Sequence, residues 1–178
     1  PIYNEADSIF VLIKEIKKEF KGKLPEIIIV NDGSTDKFIL EKKKIVRSIK
    51  IISHNNNLGK CMAMLTGVKA ARNKIICVID GDGQNPPYEI RRMIDYWHQV
   101  PKDFKDFVLI CGNRKNRQDT ILKRISSKVA NAIRKFILND DCNDTACALK
   151  VFNKKDYLKI NYFKNMHRFL PALFKMHK

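Results

Sequence analysis

No stretch of the chain approaches the ~20 consecutive apolar residues of a membrane-spanning helix. No charged-then-apolar leader is present either; the sequence opens Pro1-Ile2-Tyr3-Asn4-Glu5. None of the five cysteines forms a C-x-x-C pair, and His54, His98, His167 and His177 show no metal-ligand spacing, which argues against zinc. Cys77 and Cys111 sit inside apolar runs and read as buried, reduced thiols. There is no low-complexity linker and no repeat period. Acidic residues are scarce: 19 Asp and Glu stand against 35 Lys and Arg, a net charge of +16. That balance points to anionic partners, whether nucleic acid, an anionic membrane surface or phosphorylated substrates. The aromatic-interleaved strand patterns of RNA-binding modules are missing, so no nucleic-acid partner is expected.

What is present fits a folded domain. The chain has 178 residues, 44% of them hydrophobic, enough for one core. Residues 1–5 read as the exit of a strand. Asp7 or Ser8 is placed to cap a helix to about Phe20, with Ile9, Leu12, Ile13, Ile16 and Phe20 as its stripe and Gly22 as its stop. Residues 26–30 form an Ile-Ile-Ile-Val run of the kind buried on both faces of a parallel sheet. A Lys-rich helix is expected up to about Ser48, a strand over 49–53, and a helix over 57–72 with Leu58, Met62, Leu65 and Val68 inward. A strand over 75–79 precedes a helix that starts at Pro86-Pro87 and runs to Gln99, with Ile90, Met93, Ile94 and Trp97 inward. Then come a strand over 107–111, a long basic amphipathic helix over 120–138, a strand over 146–152, a short helix over 154–160 and a helix over 166–176. Strands alternating with helices imply an α/β fold with a mostly parallel sheet and right-handed crossovers.

In such sheets ligands bind beyond the carboxyl ends of the strands. The polar clusters fall there: Asn4-Glu5, residues 31–36, residues 80–84 and residues 112–117. The strand over 75–79 ends in Asp80-Gly81-Asp82-Gly83-Gln84. In an extended chain Asp80, Asp82 and Gln84 point to one side. Two carboxylates and an amide oxygen suit a hard divalent cation such as Mg²⁺, which fills its shell with water and substrate phosphate. The competing reading is a polar turn whose Asp side chains bond nearby backbone N–H groups.

Together these stretches resemble the glycosyltransferases of family 2 with the GT-A fold, in particular the dolichol-phosphate mannosyltransferase-like, polyprenyl-phosphate branch. The motifs are P-I-Y-N-E at 1–5, V-N-D-G-S-T-D at 30–36, N-L-G-K at 57–60 and D-G-D-G-Q-N-P-P at 80–87. They continue with Gly112-Asn113-Arg114, Lys123-Arg124 with Ser127 and Asn131, D-T-A-C-A-L-K-V-F at 144–152 and H-R-F-L-P at 167–171. The resemblance implies a Rossmann-like nucleotide-diphospho-sugar fold, a mostly parallel mixed sheet flanked by helices. Residues 1–178 are expected to be one catalytic domain, a fragment lacking the family's first strand and C-terminal tail.

The resemblance also implies roles. Pro1, Tyr3 and Glu5 would line the nucleotide pocket, with Asp32 on the base or ribose. Asp80, Asp82 and Gln84 would hold Mg²⁺ or Mn²⁺ on the donor diphosphate, and Arg168 would face that diphosphate. Arg114, Arg124 and Ser127 would grip the acceptor phosphate, helped by Lys123 and Arg117. The expected reaction is inverting transfer of a sugar from a UDP- or GDP-linked donor to a polyprenyl phosphate. It would take place at the cytoplasmic face of a membrane, with the protein peripheral to it. A phosphate nucleophile is already anionic and needs no general base, so no catalytic histidine–carboxylate pair is expected. Two other readings compete: a family 2 enzyme acting on a glycan hydroxyl, whose E-D or Q-x-x-R-W motif is missing, and a truncated, inactive nucleotide-binding remnant.

Overall fold

The computed structural model describes residues 1–22, 24–37, 49–101, 103, 105–114, 142 and 144–178. The expected Lys-rich helix before Ser48 and the long basic helix over 120–138 lie outside these residues. In chain order the described elements are α1 (Ala6–Glu19), β1 (Ile27–Asn31), β2 (Ile49–Ser53), α2 (Lys60–Ala70) and β3 (Ile75–Val78). They continue with α3 (Pro87–Gln99), β4 (Leu109–Cys111), β5 (Lys150–Asn153), α4 (Lys154–Lys159), a 3-10 turn (Met166–Arg168) and α5 (Leu170–Met176).

β1 and β2 pair in parallel, Ile27 opposite Ile49 through Asn31 opposite Ser53. β5 lies between β3 and β4 and runs antiparallel to both. Two antiparallel pairings make β3 and β4 parallel to each other. Their last residues, Val78 and Cys111, both face Lys150, the first residue of β5. Ile2 links the two groups of strands. It bridges to Asn31, donates its N–H to the Val30 carbonyl at 2.8 Å and accepts from the Asp32 N–H at 2.9 Å. A Cβ on Gly81, just beyond β3, would come within 2.5 Å of the Ile2 side chain. Ile2 therefore sits between the ends of β1 and β3.

Helices cover both faces, as the apolar strands require. Ile9, Leu12, Ile13 and Ile16 of α1 pack with Ile90, Met93 and Trp97 of α3 over one face of the strands. Cys61, Met64 and Val68 of α2 pack with Tyr157, Met166, Leu170 and Phe174 on the other. β5 shows the alternation directly: Val151 enters the first core and its neighbour Phe152 the second, both fully buried.

Three expectations shift in detail. α1 begins at Ala6, without a cap from Asp7 or Ser8. Its first N–H is satisfied from afar, by Asp36 Oδ2 at 2.9 Å. The inward face of α2 is Cys61, Ala63, Met64 and Val68, while Leu58 is 52% exposed. Leu58 lies in the loop before the helix, so helical spacing does not govern it. β5 starts at Lys150 because residues 144–149 are taken up by a turn and loop.

Candidate active site

Side chains in the first two motifs close the site's floor. Asn4, in the left-handed region at φ 54°, accepts from the Thr35 N–H through Oδ1 at 2.8 Å, and its own N–H donates to Ser34 Oγ at 3.0 Å. Asn31 Oδ1 accepts from the Ser34 N–H at 3.0 Å. Gly33 permits this turn: its φ is +74°, and a Cβ there would stand 2.5 Å from the Asn56 backbone.

Asp32 is turned inward, 3% exposed. Its carboxylate accepts from the Leu58 N–H at 3.0 Å and the Gly59 N–H at 2.8 Å, and lies 2.7 Å from His54 Nδ1. His54 Nε2 lies 3.0 Å from Thr66 Oγ1, so both ring nitrogens have a polar partner. The side chain expected at the base or ribose braces the N-L-G-K loop in this structure. A carboxylate with three internal partners is satisfied where it is.

The N-L-G-K loop delivers Lys60, which the sequence reading left without a role. Its ammonium lies 2.6 and 2.7 Å from the two oxygens of Asp80. Asp80 follows β3, but the chain beyond it forms a turn at residues 81–82, with Gly83 at φ +74°. The extended-strand argument for convergence therefore does not describe this loop. Asp82 accepts from the Gln84 N–H at 3.0 Å, the polar-turn bond of the competing reading. Asp82 and Gln84 are exposed.

Glu5 completes the acidic group. A Cβ on Gly81 would lie 2.5 Å from Glu5 Oε2, so only glycine permits this approach. That oxygen is buried and finds no hydrogen-bond partner among the described residues. Burial, reinforced by the charges of Asp80 and Asp82, raises the Glu5 carboxyl from its ordinary 4.5 to about 7. Among the described residues no three His, Cys, Asp or Glu side chains form a ready-made metal cage. An unsatisfied carboxylate oxygen beside two more carboxylates nevertheless fits a cation that brings its own water and phosphate ligands.

Further basic residues lie on the Lys60 side of this group. Lys150, 2% exposed, donates to the carbonyls of Thr145, at 3.2 Å, and Cys147. Burial pushes its pKa below the usual lysine value. His167 Nδ1 lies 3.0 Å from Cys61 Sγ, next to Lys60 on α2. Burial, with Lys60 and Arg168 nearby, lowers His167 to about 4, so it is neutral at physiological pH. Arg168 is exposed beside it.

Arg114 forms a forked pair with Asp144, at 2.8 and 3.0 Å, and adds its backbone N–H at 3.3 Å. Asp144 is thus a second residue the sequence reading passed over. Cys147 joins this region to the acidic loop, with its Sγ 3.8 Å from Asn85 Oδ1 and against Gly112. A cleft of about 500 Å³ opens alongside, lined by Asn113, Asp144, Leu109, Phe174, Lys175 and Lys178 among others. Arg117, Lys123, Arg124 and Ser127 lie outside the described residues.

The sequence profile of Glycosyl transferase family 2 matches residues 1–160. A dodecaprenyl-phosphate galacturonate synthase of Rhizobium johnstonii is 32% identical, over 97% of this chain and 52% of its own length. An undecaprenyl-phosphate 4-deoxy-4-formamido-L-arabinose transferase of Pectobacterium carotovorum is 28% identical, over 97% and 53%. The chain spans about half the length of these curated relatives. Among solved structures, glucosyl-3-phosphoglycerate synthase from Mycobacterium tuberculosis in complex with UDP superposes with a TM-score of 0.62. It is 19% identical and is covered over 55% of its chain by 87% of this one. S. aureus TarS superposes at 0.63, with 15% identity over 98% of this chain and 53% of that. These likenesses show the fold, the α/β GT-A architecture expected above.

Proposed function

Since the chain belongs to glycosyl transferase family 2, we propose that it transfers a sugar, with inversion, from a nucleotide-sugar to a polyprenyl phosphate at a membrane surface. The observation that carries this reading is the pairing of Lys60 with Asp80 beside the unsatisfied oxygen of Glu5. It sets a carboxylate group and a lysine ammonium where a diphosphate and its metal would arrive. The names of the two polyprenyl-phosphate relatives support the acceptor. Neighbours crystallised with Mn²⁺ and UDP-glucose, or with Mg²⁺ and UDP, support a metal-dependent nucleotide-sugar donor.

Asp80, Asp82 and Gln84 would hold Mg²⁺ or Mn²⁺, which when bound neutralises charge on the leaving diphosphate. Pro1, Tyr3 and Glu5 line the nucleotide side. Asp32 acts at one remove, by holding the loop that presents Lys60. In the transfer, an acceptor phosphate oxygen attacks the anomeric carbon as its bond to the donor diphosphate breaks. The electron pair leaves with the nucleoside diphosphate and no proton moves. Lys60 and Arg168 stabilise that growing charge. Arg114, Lys123, Arg124 and Ser127 orient the acceptor phosphate, since guanidinium groups match its oxygens in a fork. For Arg114 this requires sharing or releasing Asp144. No described helix is long and apolar enough to cross a membrane, and the protein acts from the cytoplasmic face as a peripheral enzyme.

The test is transfer from UDP- and GDP-sugars to a short polyprenyl phosphate with Mn²⁺, beside soluble glycan acceptors. Calorimetry of nucleoside diphosphate with Mn²⁺ runs in parallel. Asp82→Ala is expected to remove the metal-dependent binding. Transfer to glycans alone, or unchanged binding in Asp82→Ala, defeats the reading.

A further inference from the structure

We propose that Tyr162, Phe163 and Phe169, with Lys164 and Arg168 next to them in the chain, form a membrane-docking surface beside the candidate active site. The partner is the headgroup region of an anionic lipid bilayer.

After Asp156 the chain contains no acidic residue to its end at Lys178. Over the same span Lys164 follows Phe163 and Arg168 precedes Phe169, both exposed, while exposed Lys159, Lys175 and Lys178 add charge farther along, toward Phe107. Tyr162, Phe163 and Phe169 are 38, 41 and 39% exposed, and the two phenyl rings lie 6.1 Å apart. The rings are displayed by a firmly seated segment. Tyr157, Met166 and Leu170 are at most 1% exposed and belong to the second core. Their exposure is therefore a property of the fold and not of fraying at an end.

Aromatic rings among lysines and arginines suit the bilayer interface. The rings enter the headgroup boundary while the cations meet lipid phosphate. An acidic protein partner would satisfy the charges but would not explain the rings. Nucleic acid would satisfy both, but single strands ask for an aromatic platform along a groove, and here the rings cluster beside one short turn.

The position gives the surface a purpose. His167, inside the segment, contacts Cys61 through both Nδ1, at 3.0 Å, and its backbone N–H, at 3.4 Å. Cys61 follows Lys60, the partner of Asp80. Docking through the rings would bring Arg168 and the acidic loop to the bilayer, where a lipid-phosphate acceptor resides. This purpose rests on the proposed function; the docking itself does not.

The experiment is flotation of the full chain with vesicles of phosphatidylcholine alone, and of phosphatidylcholine mixed with phosphatidylglycerol, at low and high salt. The basic surface at large gives adhesion that salt removes. The rings give a part that persists. Tyr162→Ser/Phe163→Ser is expected to lose about tenfold in affinity for the mixed vesicles at high salt, with its circular dichroism unchanged. Lys164→Ser is expected to weaken binding chiefly at low salt. A double variant that floats like the parent at high salt overturns the proposal, as does equal binding to neutral and anionic vesicles at low salt. Calorimetry with nucleoside diphosphate and Mn²⁺ keeps the two readings apart. A double variant that loses the vesicles and retains the nucleotide supports the surface. Failure of all forms to bind nucleotide removes the proposed function and leaves the docking result standing.

Discussion

The ammonium of Lys60 bridges the two carboxylate oxygens of Asp80, at 2.6 and 2.7 Å, so a side-chain cation occupies the carboxylate a metal would use. Both partners are part-exposed, at 31 and 25%, and such pairs hold only weakly. Lys60 can therefore leave Asp80 for a diphosphate oxygen when donor and metal arrive together. Lys60→Met is expected to bind Mn²⁺ alone about threefold more tightly, because a competitor is gone. It should bind nucleoside diphosphate with Mn²⁺ about tenfold more weakly, for want of one charged hydrogen bond. Titrations with and without nucleotide read the two effects separately. A variant weakened equally in both would show that Lys60 only shapes the loop.

Asp32 and Asp82 are both acidic residues in motif loops, yet they should fail differently. Asp32 is 3% exposed and satisfies two backbone N–H groups and His54. Asp32→Asn presents an amide to at least one of those donors and is expected to cost about 2–3 kcal/mol. Urea denaturation measures this. Asp82 is exposed and, among the described residues, bonds only its own turn, so Asp82→Asn should leave the urea midpoint near the parent's and weaken metal-dependent binding instead. Equal stability of the two variants would refute the assignment of Asp32 as a brace.

Strands and helices were readable because their apolar periods match their burial. The stripe of α1 and the run Ile49–Ser53 appear where the pattern puts them. The acidic loop follows β3, where the pattern puts it, but the bond from the Gln84 N–H to Asp82 is the one a plain polar turn would also make. What pattern could not supply was partnership across the chain. Asp36 caps a helix 30 residues earlier, Asp144 holds Arg114, and Lys60 holds Asp80. Each joins residues at least 20 positions apart, and only the assembled sheet edge brings them together. The direction of Asp32 was hidden for the same reason. Its partners, the Leu58 and Gly59 amides, belong to a motif 26 and 27 residues away.

Two half-buried groups make the stability of the protein depend on pH in opposing ways. Glu5 is raised from 4.5 to about 7, by burial first and then by Asp80 and Asp82. Between those values the folded state holds more protons than the unfolded one, so stability falls as pH rises through the window. His167 is lowered from 6.5 to about 4, again by burial first. Between these values the unfolded state holds more protons, so stability rises with pH. The two slopes offset each other where the windows overlap, and only that of Glu5 remains above the ordinary histidine value. Glu5→Gln removes one of them. In metal-free buffer the variant should match the parent in pH dependence below 4.5 and gain on it steadily up to about 7. After allowance for solvent screening at a half-buried site the gain amounts to about 1 kcal/mol. Thermal melts across this range, with a chelator present, supply the comparison. Parent and variant curves that stay parallel would mean that Glu5 ionises in the folded protein as it does in the unfolded chain, and that its lone oxygen is not held apart from water.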